Sequence, residues 1–236
     1  MDNPRLKIAF IGDSLTEGIV GTSYFDILKE KLSRHELLNY GKGGETVKSL
    51  FRRLQEINFG PSLDIGFLWI GVNDVFVKTS WSFPLAKRLR GQPWAKNHLE
   101  FQECYRSILK FLCDKTAQIF VLSPLFIGED LDNVWNKELA ILSKIINDLS
   151  VAYPNVEFID LRDSFIPLLA SKNIFPYVPK STVRVILDAL FAKTQEELGK
   201  KALERGLHFT IDGVHLNKAG AEMVADLLLE KIRSKL

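Results

Sequence analysis

Short apolar runs alternate with stretches of helical periodicity along most of the chain. Five apolar runs have the length of buried strands, and they cover residues 6–11, 37–40, 65–70, 119–122 and 156–159. Elsewhere, apolar positions recur at intervals of three and four residues, which is the spacing of one face of an amphipathic helix. This spacing predicts helices over residues 24–34, 46–57, 101–112 and 134–149, and a last helix after Asn217.

The alternation of strands and helices predicts an α/β fold. Near-continuous apolar strands are typical of a parallel sheet that is covered by helices on both faces. Functional sites in such sheets form beyond the carboxyl ends of the strands. Ser14 follows the first predicted strand and Asn73 follows the third, so we expect both residues at this edge. Neither a repeat nor a linker interrupts the pattern, and we therefore expect one domain over residues 1–236.

Two segments exceed what a minimal alternation needs, and we interpret them as insertions over residues 75–99 and 161–211. The first carries five basic residues, several aromatic residues and no acidic residue. The second contains an additional predicted helix over residues 182–193. Each insertion is a candidate wall or lid of a site, and the alternative is a surface segment that is simply packed on the sheet.

The charge balance gives no argument for a general affinity for nucleic acid or for a membrane surface. The 236 residues include 31 basic and 29 acidic side chains, so the formal net charge is only +2. No segment approaches the unbroken apolar length of a membrane span. The first residues lack the basic flank and apolar core of a secretory signal, and we expect a cytoplasmic protein. Cys104 and Cys113 fall in one predicted helix, too far apart for a disulfide.

The turn FIGDSLTEG places Ser14 directly after the first predicted strand, where a nucleophile could be presented. A serine nucleophile needs a base, and the base needs an orienting group. His215 lies in the segment TIDGVHLN, three residues after Asp212, and this spacing lets a carboxylate reach one imidazole nitrogen. His35 and His98 lack such a setting, and His208 is left open because it is close in sequence to this segment. An ordinary turn followed by a helix cap is the alternative interpretation of the D-x-x-H spacing.

Acyl transfer also requires hydrogen-bond donors where the carbonyl oxygen becomes negative. The segment NYGKGGET places Gly44 shortly before a predicted helix, where a backbone N–H is free to bind an anion. The segment WIGVNDV places Asn73 just past a strand end. A flexible loop and a plain turn are the alternatives for these two segments.

Taken together, the G-D-S-L motif, the glycine of the second block, the G-x-N-D motif and the D-x-x-H motif resemble the SGNH-hydrolase family, also called GDSL esterases. The four blocks occur in the family's order and sample most of the chain. The resemblance implies a flavodoxin-like, three-layer α/β/α sandwich around a five-stranded parallel sheet. It also implies that Ser14 is the nucleophile, His215 the base and Asp212 the orienting acid. The oxyanion hole would consist of the Ser14 and Gly44 N–H groups and the Asn73 side chain.

The function implied is hydrolysis of a small or medium carboxylic ester, with a short acyl chain or an O-acetyl group, through an acyl-enzyme. An acyltransferase would use the same residues, and a catalytically silent ligand-binding protein of this fold remains a further alternative. A nucleotide-binding protein is disfavoured because both G-x-x-x-x-G-K-[ST] and G-x-G-x-x-G are absent. We expect no metal and no cofactor, since no His, Cys and carboxylate cluster has metal-ligand spacing.

Four residues of the first insertion are candidate substrate contacts. Trp81 or Trp94 could stack on a sugar, and Arg88 or Arg90 could pair with an anionic leaving group. The alternative is a solvated loop whose aromatic side chains are packed down. A small-molecule ester is therefore the expected partner.

Overall fold

The computed structural model describes residues 4–60, 62–79, 82–174, 176–177, 200 and 202–235. Its centre is a five-stranded sheet in which all neighbouring strands are parallel, in the order β2-β1-β3-β4-β5. The strands are β1 (Lys7–Gly12), β2 (Glu36–Gly41), β3 (Leu63–Trp69), β4 (Thr116–Leu122) and β5 (Val156–Ile159). The expected α/β fold with five parallel strands is confirmed.

Nine helices with assigned bounds in the described residues accompany the sheet. They are α1 (Ser14–Glu17), α2 (Tyr24–Lys31), α3 (Val47–Leu54), α4 (Val72–Phe76), α5 (Ser82–Leu89), α6 (His98–Cys113), α7 (Val134–Ser150), α8 (Leu161–Ala170) and α9 (Lys218–Arg233). Thr46 caps α3 and Asn217 caps α9 through side-chain oxygens that accept backbone N–H groups.

Periodicity did not predict α1, α4, α5 and α8. The first two have only four and five residues, too few for an apolar face to repeat. Two predicted helices are shorter than expected, since α2 ends at Lys31 and α3 ends at Leu54. The helix predicted over residues 182–193 lies outside the described residues.

Three phenylalanines form a stack across the centre of the sheet. Phe10, Phe67 and Phe120 lie opposite one another on β1, β3 and β4, and each is essentially fully buried. The Phe67 ring centroid lies 5.0 Å from that of Phe10 and 5.1 Å from that of Phe120. Cross-strand aromatic pairs of this kind add to the stability that apolar burial provides.

The strand register aligns the carboxyl ends of β2, β1 and β3. Gly12, the last residue of β1, pairs with Gly41 on one side and with Trp69 on the other. The following helix α1 packs directly onto β2, because a Cβ atom at Gly41 would lie only 2.1 Å from the Glu17 nitrogen. The loops that follow three strands therefore converge on one small area, at the point where the strand order reverses.

Outside this area lie a histidine and two cysteines that take no part in the candidate site. His35 is buried, and its Nδ1 accepts the Leu6 N–H at 3.1 Å. Cys104 and Cys113 are free thiols on α6. No helix within the described residues has the length and apolar character needed to cross a membrane.

Replacing Phe67 with alanine is expected to lower the free energy of unfolding by about 3–5 kcal/mol, because the cavity would lie in the middle of the aromatic stack. Urea denaturation followed by circular dichroism measures this change. Val151, which is 83% exposed after α7, provides the control, and Val151→Ala should change the free energy by less than about 0.5 kcal/mol. Equal losses in both variants would show that the stack does not anchor the sheet.

Candidate active site

Ser14 is the first residue of α1, immediately past the end of β1. The preceding residue, Asp13, caps this short helix because its Oδ1 accepts the Leu15 N–H at 3.0 Å. The Ser14 side chain is half-buried at the carboxyl edge of the sheet. The strand end and the cap together determine the direction of its hydroxyl group.

His215 connects Ser14 to Asp212. Its Nε2 lies 3.0 Å from Ser14 Oγ, and its Nδ1 lies 2.7 Å from Asp212 Oδ2. An ionised carboxylate can only accept, so Nδ1 carries the proton and Nε2 of the neutral imidazole accepts the serine O–H. Such a chain of hydrogen bonds can move the serine proton onto the imidazole.

The Asp212 carboxylate also fixes the turn that carries His215. Its Oδ1 accepts the N–H groups of Val214 at 2.9 Å and of His215 at 2.7 Å. The side-chain and backbone bonds of one carboxylate therefore define both the position of the loop and the orientation of the imidazole. This dual use explains the short D-x-x-H spacing.

Glu129 holds the start of this loop through hydrogen bonds, although no sequence feature had drawn attention to it. The side chain is fully buried and accepts the backbone N–H groups of His208, Phe209 and Thr210, together with the Thr210 hydroxyl. A bridge between Thr210 and Leu216 closes the loop above it. A lone glutamate in a loop gives no signal in a sequence, because its partners are backbone groups that are 79 to 81 residues away.

Opposite shifts in pKa accompany the ion pair. Burial alone would raise the pKa of Asp212, but the His215 charge and the hydrogen bonds that the carboxylate accepts leave it below its usual value of 3.8. Burial alone would lower the pKa of His215, but the Asp212 carboxylate outweighs this effect and raises it above 6.5. The imidazole is therefore a stronger base than a free histidine.

The two other predicted donor residues lie beside this chain of groups. Gly44 has a φ of +74°, a conformation that favours glycine, and follows β2. Within the described residues, neither the Ser14 N–H nor the Gly44 N–H donates to another protein group. Asn73 lies on α4 after β3, is 8% exposed and donates from Nδ2 to Asp13 Oδ2 at 3.1 Å. The second hydrogen of Nδ2 stays available for a substrate oxygen.

Three ionisable side chains are buried around Asn73. Burial raises the pKa of Asp13 to about 6 and that of Asp74 to about 7, and it lowers the pKa of Lys87 to about 8. Asp74 accepts the N–H groups of Val47 and Ala95, so it joins α3 to the first insertion. Across the described chain, His, Cys, Asp and Glu side chains form no group of three or more that could hold a metal ion.

In the sequence, Lys87 was noted only as one of the five basic residues of the insertion over residues 75–99. It lies four residues after the buried Phe83, on the same face of α5, and is itself 8% exposed. This spacing from Phe83 could have indicated that Lys87 is buried, and a lysine on the apolar face of a helix needs buried partners.

The candidate substrate contacts are only partly brought together. Arg88, which is exposed, and the half-buried Trp94 line one groove beside α3. Arg90 is exposed and does not line this groove. Trp81 lies outside the described residues.

Comparisons with known proteins agree with the fold and indicate a family. The family model described as "GDSL-like Lipase/Acylhydrolase family" matches residues 10–223. Among solved structures, the acetylxylan esterase Axe2 from Geobacillus stearothermophilus has a TM-score of 0.67 and 20% identity, over 96% of this chain and 94% of that chain. The acetyl xylan esterase AlAXEase has a TM-score of 0.65 and 24% identity, over 96% of this chain and 100% of that chain.

A third similar structure is LAE5, an alpha/beta hydrolase enzyme from the metagenome of Lake Arreo, Spain. Its TM-score is 0.66 and its identity 20%, over 95% of this chain and 94% of that chain. No curated protein matches the sequence. At these identities the solved structures show the fold alone, whereas the match to the family model shows to which family the chain belongs.

A fluorophosphonate, which phosphonylates an activated serine with loss of fluoride, is expected to react with Ser14. The labelling rate should rise with pH and level off above pH 6.5, because only neutral His215 accepts the serine proton and its pKa is raised. Asp212→Asn should slow labelling by about 10²–10⁴-fold, since the amide favours the wrong tautomer, and should move the pH midpoint downwards. Intact mass at a series of pH values measures both effects.

The exposed Asp226 on α9 provides the matched control, because Asp226→Asn removes a carboxylate that pairs with Lys31 at the surface. This variant should label at the wild-type rate. An adduct on another residue, or an unchanged rate and midpoint in Asp212→Asn, would contradict the assignment of these groups.

Proposed function

This chain belongs to the GDSL-like lipase/acylhydrolase family and is a hydrolase of carboxylic ester bonds, and we propose that it is a serine esterase for short acyl groups that works through an acyl-enzyme. One observation carries the proposal. His215 Nε2 lies 3.0 Å from Ser14 Oγ while His215 Nδ1 lies 2.7 Å from Asp212. These are the contacts by which a base activates a serine hydroxyl and is itself oriented.

In the first half-reaction, Ser14 Oγ attacks the ester carbonyl carbon as His215 takes its proton. The carbonyl oxygen becomes negative and receives hydrogen bonds from the N–H groups of Ser14 and Gly44 and from Asn73 Nδ2. His215 then gives the proton to the leaving alcohol oxygen, and the C–O bond to the alcohol breaks. The acyl group remains on Ser14.

In the second half-reaction, water takes the place of the alcohol. His215 accepts a proton from water, the hydroxide oxygen attacks the acyl carbon, and the proton returns to Ser14 as the acid leaves. The Asp212 carboxylate stabilises the imidazolium in both halves, and its lowered pKa keeps it ionised at neutral pH.

The acyl group is proposed to be short, such as acetyl. Two similar solved structures are described as acetyl xylan esterases, and their chains align with this one over nearly its whole length. An O-acetyl group on a sugar or on another alcohol is therefore the favoured substrate class.

The leaving group is proposed to lie in the groove beside α3. Four basic side chains line this groove together with Trp94, and they are Lys48, Arg52, Arg88 and Lys96. Glu100 pairs with Lys48, whereas Arg52 and Arg88 form no ion pair within the described chain. Gln92 also lines the groove and donates to the Gly43 carbonyl at 2.9 Å, so the groove adjoins the loop of Gly44. The positive charge of the side chains that line the groove favours a leaving group that carries a carboxylate or another anion.

Wild-type protein is expected to hydrolyse p-nitrophenyl acetate and butyrate, and Ser14→Ala should lower turnover by at least about 10³-fold because the nucleophile is lost. The octanoate ester should react more slowly than the acetate if the acyl site is small. Ser107→Ala, at a half-buried serine on α6 that donates to the Glu103 carbonyl, is the matched control and should retain full activity. Turnover that survives in Ser14→Ala would contradict the proposed nucleophile.

The acyl-enzyme itself is tested by adding methanol. Acetate esters with different leaving groups share one acetyl-enzyme, so the ratio of acetic acid to methyl acetate should be the same for all of them. A ratio that changes with the leaving group would mean that water attacks the substrate directly.

The groove is tested with two acetate esters of similar shape, phenyl acetate and 4-acetoxybenzoate. Arg88→Gln should lower kcat/KM for the anionic ester relative to the neutral one by about two- to fivefold, as expected for a partly exposed ion pair. Added salt should reduce the wild-type preference. Arg233→Gln, at the far end of α9, is the control, and equal effects of both substitutions would remove the groove from the site.

A further inference from the structure

Lys87 makes contacts that the proposed reaction does not use directly. Its Nζ donates to the Gly44 carbonyl and lies 3.4 Å from Asn73 Oδ1. Gly44 and Asn73 are two of the three residues assigned to the oxyanion hole. A single ammonium group on α5 therefore contacts residues from the loops after β2 and β3.

Resting on the proposed function, we propose that Lys87 is a positioning residue of the oxyanion hole, which orients the Asn73 amide and offsets the buried carboxylates beside it. The G-x-N-D motif does not include this lysine, and it lies 14 residues after Asn73. Its role is to make the Asn73 donor effective rather than to touch the substrate.

The orientation of the Asn73 amide follows from its two neighbours. An ammonium group can only donate, so it favours the amide oxygen, and a carboxylate can only accept, so Asp13 favours the amide nitrogen. Lys87 faces Oδ1 and Asp13 faces Nδ2, and both therefore select the same rotamer. This rotamer keeps the second Nδ2 hydrogen in one place, as a preorganised donor requires.

The charge of Lys87 also acts on the two carboxylates beside Asn73. Asp13 is 1% exposed and Asp74 is 3% exposed, and both lie close enough to Lys87 to interact with its charge. Where Asp13 and Asp74 are ionised, a developing oxyanion beside them would be unfavourable in a site of low dielectric. The ammonium group of Lys87 reduces this repulsion by providing a positive charge that is itself 8% exposed.

The surroundings of Lys87 predict a dependence on pH. Burial lowers its pKa to about 8, although Asp74, Asp13 and Glu45 oppose this shift, and Arg90, just after α5, adds to it. His215 also interacts with the charge of Asp13. Because the protonated form of Lys87 is the one that positions Asn73, kcat should fall as the pH rises through about 8.

The experiment measures kcat and KM for p-nitrophenyl acetate across the pH range in the wild type, Lys87→Met and Lys87→Arg. Methionine keeps the length and removes the charge, and we expect kcat to fall by about 10–10²-fold, less than for the loss of a direct donor, with little change in KM. The alkaline decline should disappear in Lys87→Met. Lys87→Arg should recover part of kcat and move the decline to higher pH, because arginine stays charged.

A double-mutant cycle with Asn73→Ala separates positioning from general stability. If Lys87 acts through Asn73, the two substitutions together should cost little more than Asn73→Ala alone, so their effects on kcat will not be additive. Fully additive effects would overturn the proposal. This comparison is made between variants with native circular dichroism spectra, and Lys87→Arg serves where Lys87→Met does not fold.

Lys78→Met is the matched control, since Lys78 is exposed just after α4, and it should leave the pH profile unchanged. A Lys87→Met enzyme with wild-type kcat and an unchanged alkaline decline would overturn the role of Lys87 and leave the esterase intact. Turnover that persists in Ser14→Ala would instead contradict the proposed function itself. The two failures are therefore distinguishable.

Discussion

The site depends on the close approach of three backbones at the carboxyl ends of β2, β1 and β3. Gly12 and Gly41 pair across the sheet, and α1 packs against Gly41 so tightly that no side chain would fit there. Asn39 strengthens this contact, because its Nδ2 donates to the Thr16 carbonyl at 2.8 Å. Ser14 therefore projects from a helix that is held on the sheet by backbone contact, and the loops carrying Gly44 and Asn73 lie beside it.

The loop of Asp212 and His215 reaches this area from the opposite end of the chain. It is held to the start of the chain by the Thr22 N–H, which donates to the Leu216 carbonyl at 2.8 Å. Glu129 holds it from the other side by accepting three backbone N–H groups. These contacts allow two groups that are 201 residues apart to keep a 3.0 Å hydrogen bond. Such support matters because small displacements of reacting groups lower rates strongly.

The buried ionisable groups around Asn73 lower the stability of the fold but orient the amide that serves the proposed oxyanion hole. Asp13, Asp74 and Lys87 all have pKa values shifted towards their neutral forms by burial. Hydrogen bonds from backbone groups and the opposite charges of the partners limit this penalty. A network of this kind destabilises the folded chain locally. In return, the network orients the Asn73 amide, as an oxyanion site requires.

Local sequence determined much of the fold and the identity of the principal site residues. Apolar runs specified the five strands, because burial leaves the central strands β1, β3 and β4 with few polar positions. Thr46 and Asn217 have side chains of the kind that cap helices. The short blocks around Ser14, Gly44, Asn73 and His215 carry their chemistry within a few neighbouring residues each. Very short helices such as α4 could not be predicted, since they depend on packing rather than periodicity.

Tertiary structure alone decided which groups meet. Glu129, Asp74 and Lys87 contact partners that are 14 to 81 residues away, so their local sequence does not show which groups they meet. The same holds for Arg88 and Arg90, which are two residues apart in a basic segment, yet only Arg88 lines the groove. Burial converts ordinary side chains into groups with shifted pKa values, and burial is a property of the folded chain. The sequence by itself determined which chemistry was available, and the packing of the loops decided where that chemistry could act.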